Sequence, residues 1–329
     1  MSIGPEFELI RRIARVLGPS EAAVELGIGD DAAVLTPPAG KLLATVDMLV
    51  EGVHFDLGYS SFEDVGYKAL AVNLSDIAAM AGTPRYALVS LGLRSGVEAG
   101  QVESLYRGIH QLAQRFGVQV VGGNIARSPE RLLVDITLLG ESAHPLTRSG
   151  AKAGDWIVVT GNLGSAAAGL VALKAWGTSA AERFPTLTRA QLRPEPRVPE
   201  GHALAPMISA LIDISDGCAN ELHHLAEASE VGVILEEERI PLHEETQRLA
   251  SELGKDPLEW ALQGGEDYEL LFCVPPEKLP LVEGVLKDRG RPFHPLGRVT
   301  EAREGVRLKD RTSRLHPLEP RGWDHLAKA

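Results

Sequence analysis

Residues 62–93 read FEDVGYKALAVNLSDIAAMAGTPRYALVSLGL, and this stretch decides the fold class. Val65, Ala69, Val72 and Met80 recur at helical spacing, which predicts a long helix over 62–81. Tyr86 to Leu93 then reads as a strand. Upstream, Ala32 to Thr36 and Leu42 to Val46 read as two strands joined by a Pro37-Pro38-Ala39-Gly40 turn. An opening helix after Pro5 carries Phe7, Ile10, Ala14 and Leu17. Downstream, Val102, Leu105, Ile109, Leu112 and Phe116 mark a helix, and Val118 to Val121 and Leu132 to Leu139 mark strands. The order β-β-α-β-α-β-β mixes hairpins with helices, so the expected class is α+β, not a doubly wound α/β sheet.

Residues 142–154 are polar and rich in turn formers, and they divide an N-terminal domain, 1–145, from a C-terminal one, 146–329. Beyond them, strands are expected at 156–160, 210–214, 231–235, 268–274 and 293–299, with helices at 164–176, 217–229 and 276–288. The second domain is again α+β. Arg193-Pro194-Glu195-Pro196-Arg197-Val198-Pro199 reads as a rigid connector.

Of 329 residues, 45 are acidic and 33 basic, for a formal charge of −12. That balance argues against a nucleic-acid or anionic-membrane partner, both of which need a basic footprint. No window reaches 18 uncharged apolar residues, so no membrane span is expected. Cys218 and Cys273 form no CxxC pair, and the first residues carry neither a basic nor an apolar leader segment; both point to a cytoplasmic protein.

The chain has no GxxxxGK[ST] loop, no HExxH and no GxSxG. Instead, acids and amides lie beside glycines at predicted strand ends. Gly27-Ile28-Gly29-Asp30-Asp31 is one such site, and Thr45-Val46-Asp47 closes an apolar strand. His54 stands between Val53 and Phe55, where a satisfied core histidine is the ordinary alternative. Asn73 and Asp76 are three apart on the long helix and share a face. Asp76 sits among Ala71, Val72, Leu74, Ile77, Ala78 and Ala79, company that makes a carboxylate costly to bury unless it is paired or metal-bound; a helix cap at Ser75 or Asp76 is the alternative. Gly122-Gly123-Asn124 reads as a turn whose bare N–H groups can cradle phosphate. Asp213-Ile214-Ser215-Asp216-Gly217 sits between a strand and a helix, where N–H groups favour anions and two acids favour metal. Gly264-Gly265-Glu266-Asp267 enters an apolar strand, and Arg148 can reach a phosphate. Oxygen ligands without clustered His or Cys favour Mg²⁺ over zinc.

In order, GIGDDAAV (27–34), TVDMLVEGVHF (45–55), YKALAVNLSDIAAMAG (67–82), VVGGN (120–124), LTRSGAKAGD (146–155), IDISDG (212–217), GGEDYEL (264–270) and the ending Gly322-Trp323-Asp324-His325 resemble the thiamine-monophosphate kinase family, part of the aminoimidazole-ribonucleotide synthetase-like superfamily. The resemblance implies a homodimer of two α+β domains per chain, pairing through the N-terminal sheets, with ATP near the seam. The C-terminal domain would complete the nucleotide and substrate site. It implies ATP- and Mg²⁺-dependent phosphorylation of thiamine monophosphate to thiamine diphosphate, the last step in making that cofactor. Carried over by motif, Asp31, Thr45, Asp47, Asp76, Asp213 and Asp216 match Mg²⁺ ligands. Gly122, Gly123, Arg148 and Ser215 match nucleotide contacts, Tyr106 more loosely. His54, Glu266 and Trp323 match contacts to thiamine monophosphate. Two positions depart from the family pattern: Asn124 stands where Asp is usual, which weakens one metal site, and Val46 stands where Thr is frequent.

The chemistry fits. A phosphate monoester is largely dianionic at pH 7 and needs no general base to attack, so in-line transfer asks for charge neutralisation. Three rivals stay open: a superfamily enzyme with another acceptor, a nucleotide sensor without turnover, and a metal-dependent phosphohydrolase.

Overall fold

A computed structural model describes residues 6–19, 24–28, 32–37 and 39–322. The chain groups into two units, one running to Ile77 and resuming at Gly82–His144, the other comprising Ala78–Ala81 and the chain from Pro145 onward.

The first unit contains α1 (Glu6–Leu17), β1 (Val24–Leu26), β2 (Val34–Leu35), β3 (Lys41–Val50), α2 (Phe62–Ala79), β4 (Thr83–Leu93), α3 (Ala99–Phe116), β5 (Gln119–Arg127) and β6 (Leu133–Ser142). Its four-stranded sheet has the order β3-β6-β4-β5. β3 and β6 pair antiparallel over ten residues, from Lys41 opposite Ser142 to Val50 opposite Leu133. β4 pairs antiparallel with β6 and parallel with β5. A parallel pair needs a crossover, and α3 supplies it.

The sheet has two different faces, because side chains alternate along a strand. On one face Leu49, Val134, Ile136, Leu138, Val89 and Leu91 are buried. On the other, Leu42, Val46, Met48 and Leu88 are exposed at 59%, 58%, 49% and 38%. Four large apolar side chains in solvent on one sheet face are a surface that calls for a partner. The expected apolar side of α2 is too narrow a reading. Val65, Tyr67, Ala69–Val72, Leu74, Ile77 and Ala78 are all buried, so the helix is enclosed nearly all round. Each fully buried Leu or Ile there contributes about 1.5–3 kcal/mol.

The second unit contains β7 (Trp156–Val159), α4 (Ser165–Trp176), α5 (Ala180–Arg183), α6 (Pro185–Leu192), α7 (Val198–Leu204), β8 (Ala210–Asp213), α8 (Cys218–Ser229), β9 (Val231–Glu236), α9 (Glu244–Leu253), α10 (Pro257–Gln263), β10 (Leu270–Val274), α11 (Leu279–Asp288), β11 (His294–Glu301), β12 (Val306–Lys309) and β13 (Leu315–Pro317). Its seven-stranded sheet runs β13-β12-β9-β11-β7-β10-β8 and is antiparallel except for β12 against β9. β8 and β10 are buried at every position, so both faces are covered there. One core joins Ile157, Val159, Ile212, Leu222, Leu225, Val233, Leu235, Leu271, Cys273 and Leu296. The proline-rich connector lies between α6, which ends at Leu192, and α7, which begins at Val198; only its last two residues join a helix, with Pro199 in the first turn of α7, where a missing N–H costs nothing. No helix among the described residues is long and apolar enough to cross a membrane.

Candidate active site

In the first unit, Thr45 and Asp47 lie on the helix-covered face of β3, two residues apart. Asp76 comes from α2, which runs unbroken through it, so the helix-cap alternative falls away. The Thr45 hydroxyl donates to Asp76 Oδ2. One turn earlier, the fully buried Asn73 donates its amide to Ala69 O at 3.0 Å, while its Oδ1 has no partner among the described residues. An orphaned buried acceptor one turn before Asp76, the Thr45 hydroxyl on the Asp76 carboxylate and Asp47 on the same strand face as Thr45 make an oxygen-rich donor set, which fits a hard cation. The described residues contain no group of three or more His, Cys, Asp or Glu able to hold a metal, so any such ion would need further oxygens. Asp31 lies outside the described residues.

His54 sits in the turn after β3, partly exposed. Val50 N–H donates to its Nδ1 at 3.0 Å, which makes Nδ1 the unprotonated nitrogen and puts the ring proton on Nε2. His54 O accepts from Lys68 Nζ at 3.1 Å, and Lys68 is itself only 3% exposed. The turn is thus pinned from the helix side.

Gly122-Gly123-Asn124 is not a turn. The three residues lie within β5, opposite Leu88, Val89 and Ser90 of β4. The strand continues because Gly123 has no side chain: a Cβ there would meet Val89 O at 1.9 Å. β5 is an edge strand, so among the described residues the N–H groups on its outer side have no neighbouring strand to bond. Asn124 shares the open sheet face with Ser90, Asp135 and Met48, which follow one another across the strands. β3 and β5 are opposite edges, roughly 14 Å apart at three strand spacings. Within this unit Asn124 is therefore distant from Thr45, Asp47 and Asp76. Asp135 was missed by sequence reasoning; its place among open-face positions of β6 was the available signal. Desolvation pushes its carboxyl up. Tyr106 is buried on α3, and burial raises its phenol well above the usual range.

In the second unit, Asp213 ends β8 and is buried. The cap of α8 is Gly217, with no side-chain bond, so neither Ser215 nor Asp216 serves that structural purpose. Ser215 Oγ and Asp216 N–H both donate to Glu221 Oε1 at 3.2 Å. Burial raises the Glu221 carboxyl against the pull of the Asp216 N–H and, less strongly, of His224 and Arg148. Glu221, in the first turn of α8, was not singled out from the sequence. Arg148 is exposed; its carbonyl accepts from Ser229 Oγ at 3.0 Å, and the preceding Thr147 O accepts from Leu211 N–H at 2.9 Å.

The Gly264–Tyr268 segment is zipped to this loop. Glu266 N–H donates to Ser215 O at 2.7 Å and Tyr268 N–H to Ile214 O at 2.8 Å. Glu266 and Tyr268 both have left-handed backbone, with φ of 69° and 49°. Each costs about 1–2 kcal/mol for a side-chain-bearing residue. Between them, Asp267 accepts from the N–H groups of Gly164 and Ala166 at 2.7 and 3.2 Å, at the start of α4. The residue is partly exposed but its carboxyl is enclosed, and desolvation pushes it up to about 7 against the pull of those donors. Glu269 accepts a two-pronged contact from the buried Arg197 guanidinium, with a 2.6 Å bond from Thr160 Oγ1. Trp323 lies outside the described residues; the preceding Gly322 N–H donates to Asn220 Oδ1 at 3.0 Å.

Models of the N- and C-terminal domains of AIR synthase related proteins match residues 29–142 and 152–309. The thiamine-monophosphate kinase of Bacillus subtilis (strain 168) is 39% identical over 97% of this chain and 99% of its own length. The chain belongs to the thiamine-monophosphate kinase family of AIR synthase related proteins. A solved family structure from Stenotrophomonas maltophilia K279a superposes with a TM-score of 0.82 at 34% identity, covering 94% of this chain and 97% of the other. Another, described as AaThiL complexed with AMPPCP and TMP, gives 0.79 at 36% identity over 98% and 97%. Family membership thus rests on nearly the whole chain, and both units take part in it.

Proposed function

We infer that this protein transfers the γ-phosphoryl group of ATP to thiamine monophosphate, giving ADP and thiamine diphosphate. The observation that carries the reading is the near full-length likeness to thiamine-monophosphate kinases, one of them solved with AMPPCP, an ATP analogue, and TMP. The acceptor phosphate oxygen forms a bond to the γ-phosphorus as the bond to the β–γ bridging oxygen breaks. With a second pKa of about 6, the acceptor is already mostly dianionic, so no side chain need act as general base. The barrier is repulsion between two polyanions, and positioning with charge neutralisation lowers it.

We propose Mg²⁺ as the neutralising cofactor; it would screen the triphosphate and the acceptor. Thr45, Asp47 and Asp76 supply hard oxygens on the helix-covered face of the first sheet, while Asn124, on the opposite face, would serve a separate ion; Asp31, Asp213 and Asp216 are proposed as further Mg²⁺ ligands. Asn124 offers a neutral carbonyl oxygen, so its contribution is weaker than an aspartate's. The edge-strand amides of Gly122 and Gly123, the Arg148 guanidinium and Ser215 would hold the nucleotide, with Tyr106 as a looser member. His54 presents Nε2–H, and Glu266 a carboxylate, to thiamine monophosphate; Trp323 would stack on one of its rings. Residues 1–145 and 146–329 are proposed as the ATP- and Mg²⁺-binding, dimerising domain and its C-terminal partner.

A homodimer is proposed through the open sheet face, where burying Leu42, Val46, Met48 and Leu88 removes apolar area from water. A cytoplasmic home suits the buried free thiols of Cys218 and Cys273. The functional test is acceptor-dependent conversion of ATP to ADP with matching thiamine diphosphate.

A further inference from the structure

We propose that Gln191 is the positioning residue that orients the Glu266 carboxylate for thiamine monophosphate; this rests on the reading of Glu266 as a contact to that substrate. Gln191 lies on α6 and is 3% exposed. Its Nε2 donates to Glu266 Oε2 at 2.6 Å. Its Oε1 is buried with no hydrogen-bond partner among the described residues. The opposite amide orientation would aim Oε1 at a carboxylate oxygen, which repels, so the donor assignment follows from the chemistry.

A buried amide with one end unsatisfied is a poor choice for stability. An apolar side chain of similar shape would avoid the desolvation of Oε1 altogether. The bond to Glu266 is the one the Gln191 side chain makes among the described residues, so its use lies there. The Glu266 main chain is already fixed in left-handed backbone by the bond to Ser215 O. The Oε2 end of the side chain is in turn held by the buried Gln191 amide.

The helix carrying Gln191 is itself held as a platform. Glu245 of α9 accepts from Thr186 N–H at 3.0 Å, Leu187 N–H at 3.3 Å and Thr186 Oγ1 at 3.0 Å, closing the first turn of α6. α4 lets α6 approach through Gly169, where a Cβ would lie 2.0 Å from Leu187 O and 3.1 Å from Gln191 Cβ. A charge-assisted bond from a fixed donor is what holds a carboxylate in one direction.

The experiment compares wild type, Gln191→Leu, Glu266→Ala and the double variant by steady-state kinetics for both substrates and by thermal melting. Gln191→Met, closer in shape, stands in if the leucine variant does not fold. The proposal expects an unchanged or higher melting temperature for the Gln191 variant. It expects KM for thiamine monophosphate to rise roughly tenfold with KM for ATP unchanged, as losing a bond to a charged group implies. On top of Glu266→Ala, the Gln191 change should add nothing. A lower melting temperature with normal kinetics, equal shifts in both KM values, additive losses, or a Glu266→Ala variant with wild-type kinetics would each overturn it. Absent turnover of thiamine monophosphate by wild type would instead overturn the functional reading beneath it.

Discussion

The Thr45 hydroxyl on β3 donates to the Asp76 carboxylate on α2, tying an edge strand to its covering helix on the face that also carries Asp47. The bond orients a carboxylate that would otherwise be an unexplained acid in an apolar helix. Asp76→Asn keeps an acceptor for Thr45 but removes the charge. Turnover should fall on the order of 10²-fold, the scale of losing one electrostatic partner of a transition state, while the melting temperature moves little. Thr45→Val should cost about tenfold, as loss of a ligand's supporting hydrogen bond does. Steady-state assays with a melting curve check both; an Asp76→Asn enzyme within twofold of wild type would remove Asp76 from the site.

Gly122 and Gly123 should respond differently to alanine. At Gly123 the added carbon meets a backbone oxygen of β4 at 1.9 Å, which cannot move without parting the strands. At Gly122 it meets only the Leu88 side chain at 3.1 Å. Gly123→Ala should lose about 1–3 kcal/mol by denaturant titration, and ATP affinity with it; Gly122→Ala should stay near wild type in stability. Equal losses would contradict the packing described for β5.

Asp267 should leave a mark on stability against pH. Its folded pKa, about 7, lies above the unfolded value of 3.8. The proton is thus bound more tightly in the folded state. The stability it contributes is complete below about pH 4 and is lost as pH rises through 7. Asp267→Asn has no such proton to lose. The melting temperature of wild type relative to Asp267→Asn should therefore decline between pH 4 and 8; a constant difference would mean the carboxyl is not held neutral.

The open sheet face should govern assembly. Light scattering should give wild type the mass of two chains, and Val46→Glu with Met48→Glu should give one. A wild-type monomer at micromolar concentration would contradict the proposed pairing.

The helix-then-strand order through 62–93 was legible from the apolar spacing and length of each run, although α2 proved buried nearly all round and not on one side. The long β3–β6 pairing was only partly so: Asp47 reads as a strand end, but Met48, Leu49 and Val50 carry the ladder on past it. Gly122-Gly123 was misread as a turn because two glycines signal a bend locally, whereas here one answers a close approach by Val89, sequence-distant and invisible to local pattern. The acids at 47, 76, 213 and 266 announced themselves by apolar or glycine neighbours. Glu221 and Gln191 did not, and Asp267 was read only as part of the Gly264–Asp267 motif, without a role. Asp267 and Gln191 act through partners far away in sequence, the start of α4 and Glu266, while Glu221 turns back on the Ser215–Asp216 loop five and six residues before it.

The most direct test of the central claim is an assay of ATP turnover with Mg²⁺, with and without thiamine monophosphate, reading products by mass. The account predicts ADP and thiamine diphosphate in equal amounts, and only when both substrates are present. Phosphate released without the acceptor, or ATP bound and never turned over, would contradict it.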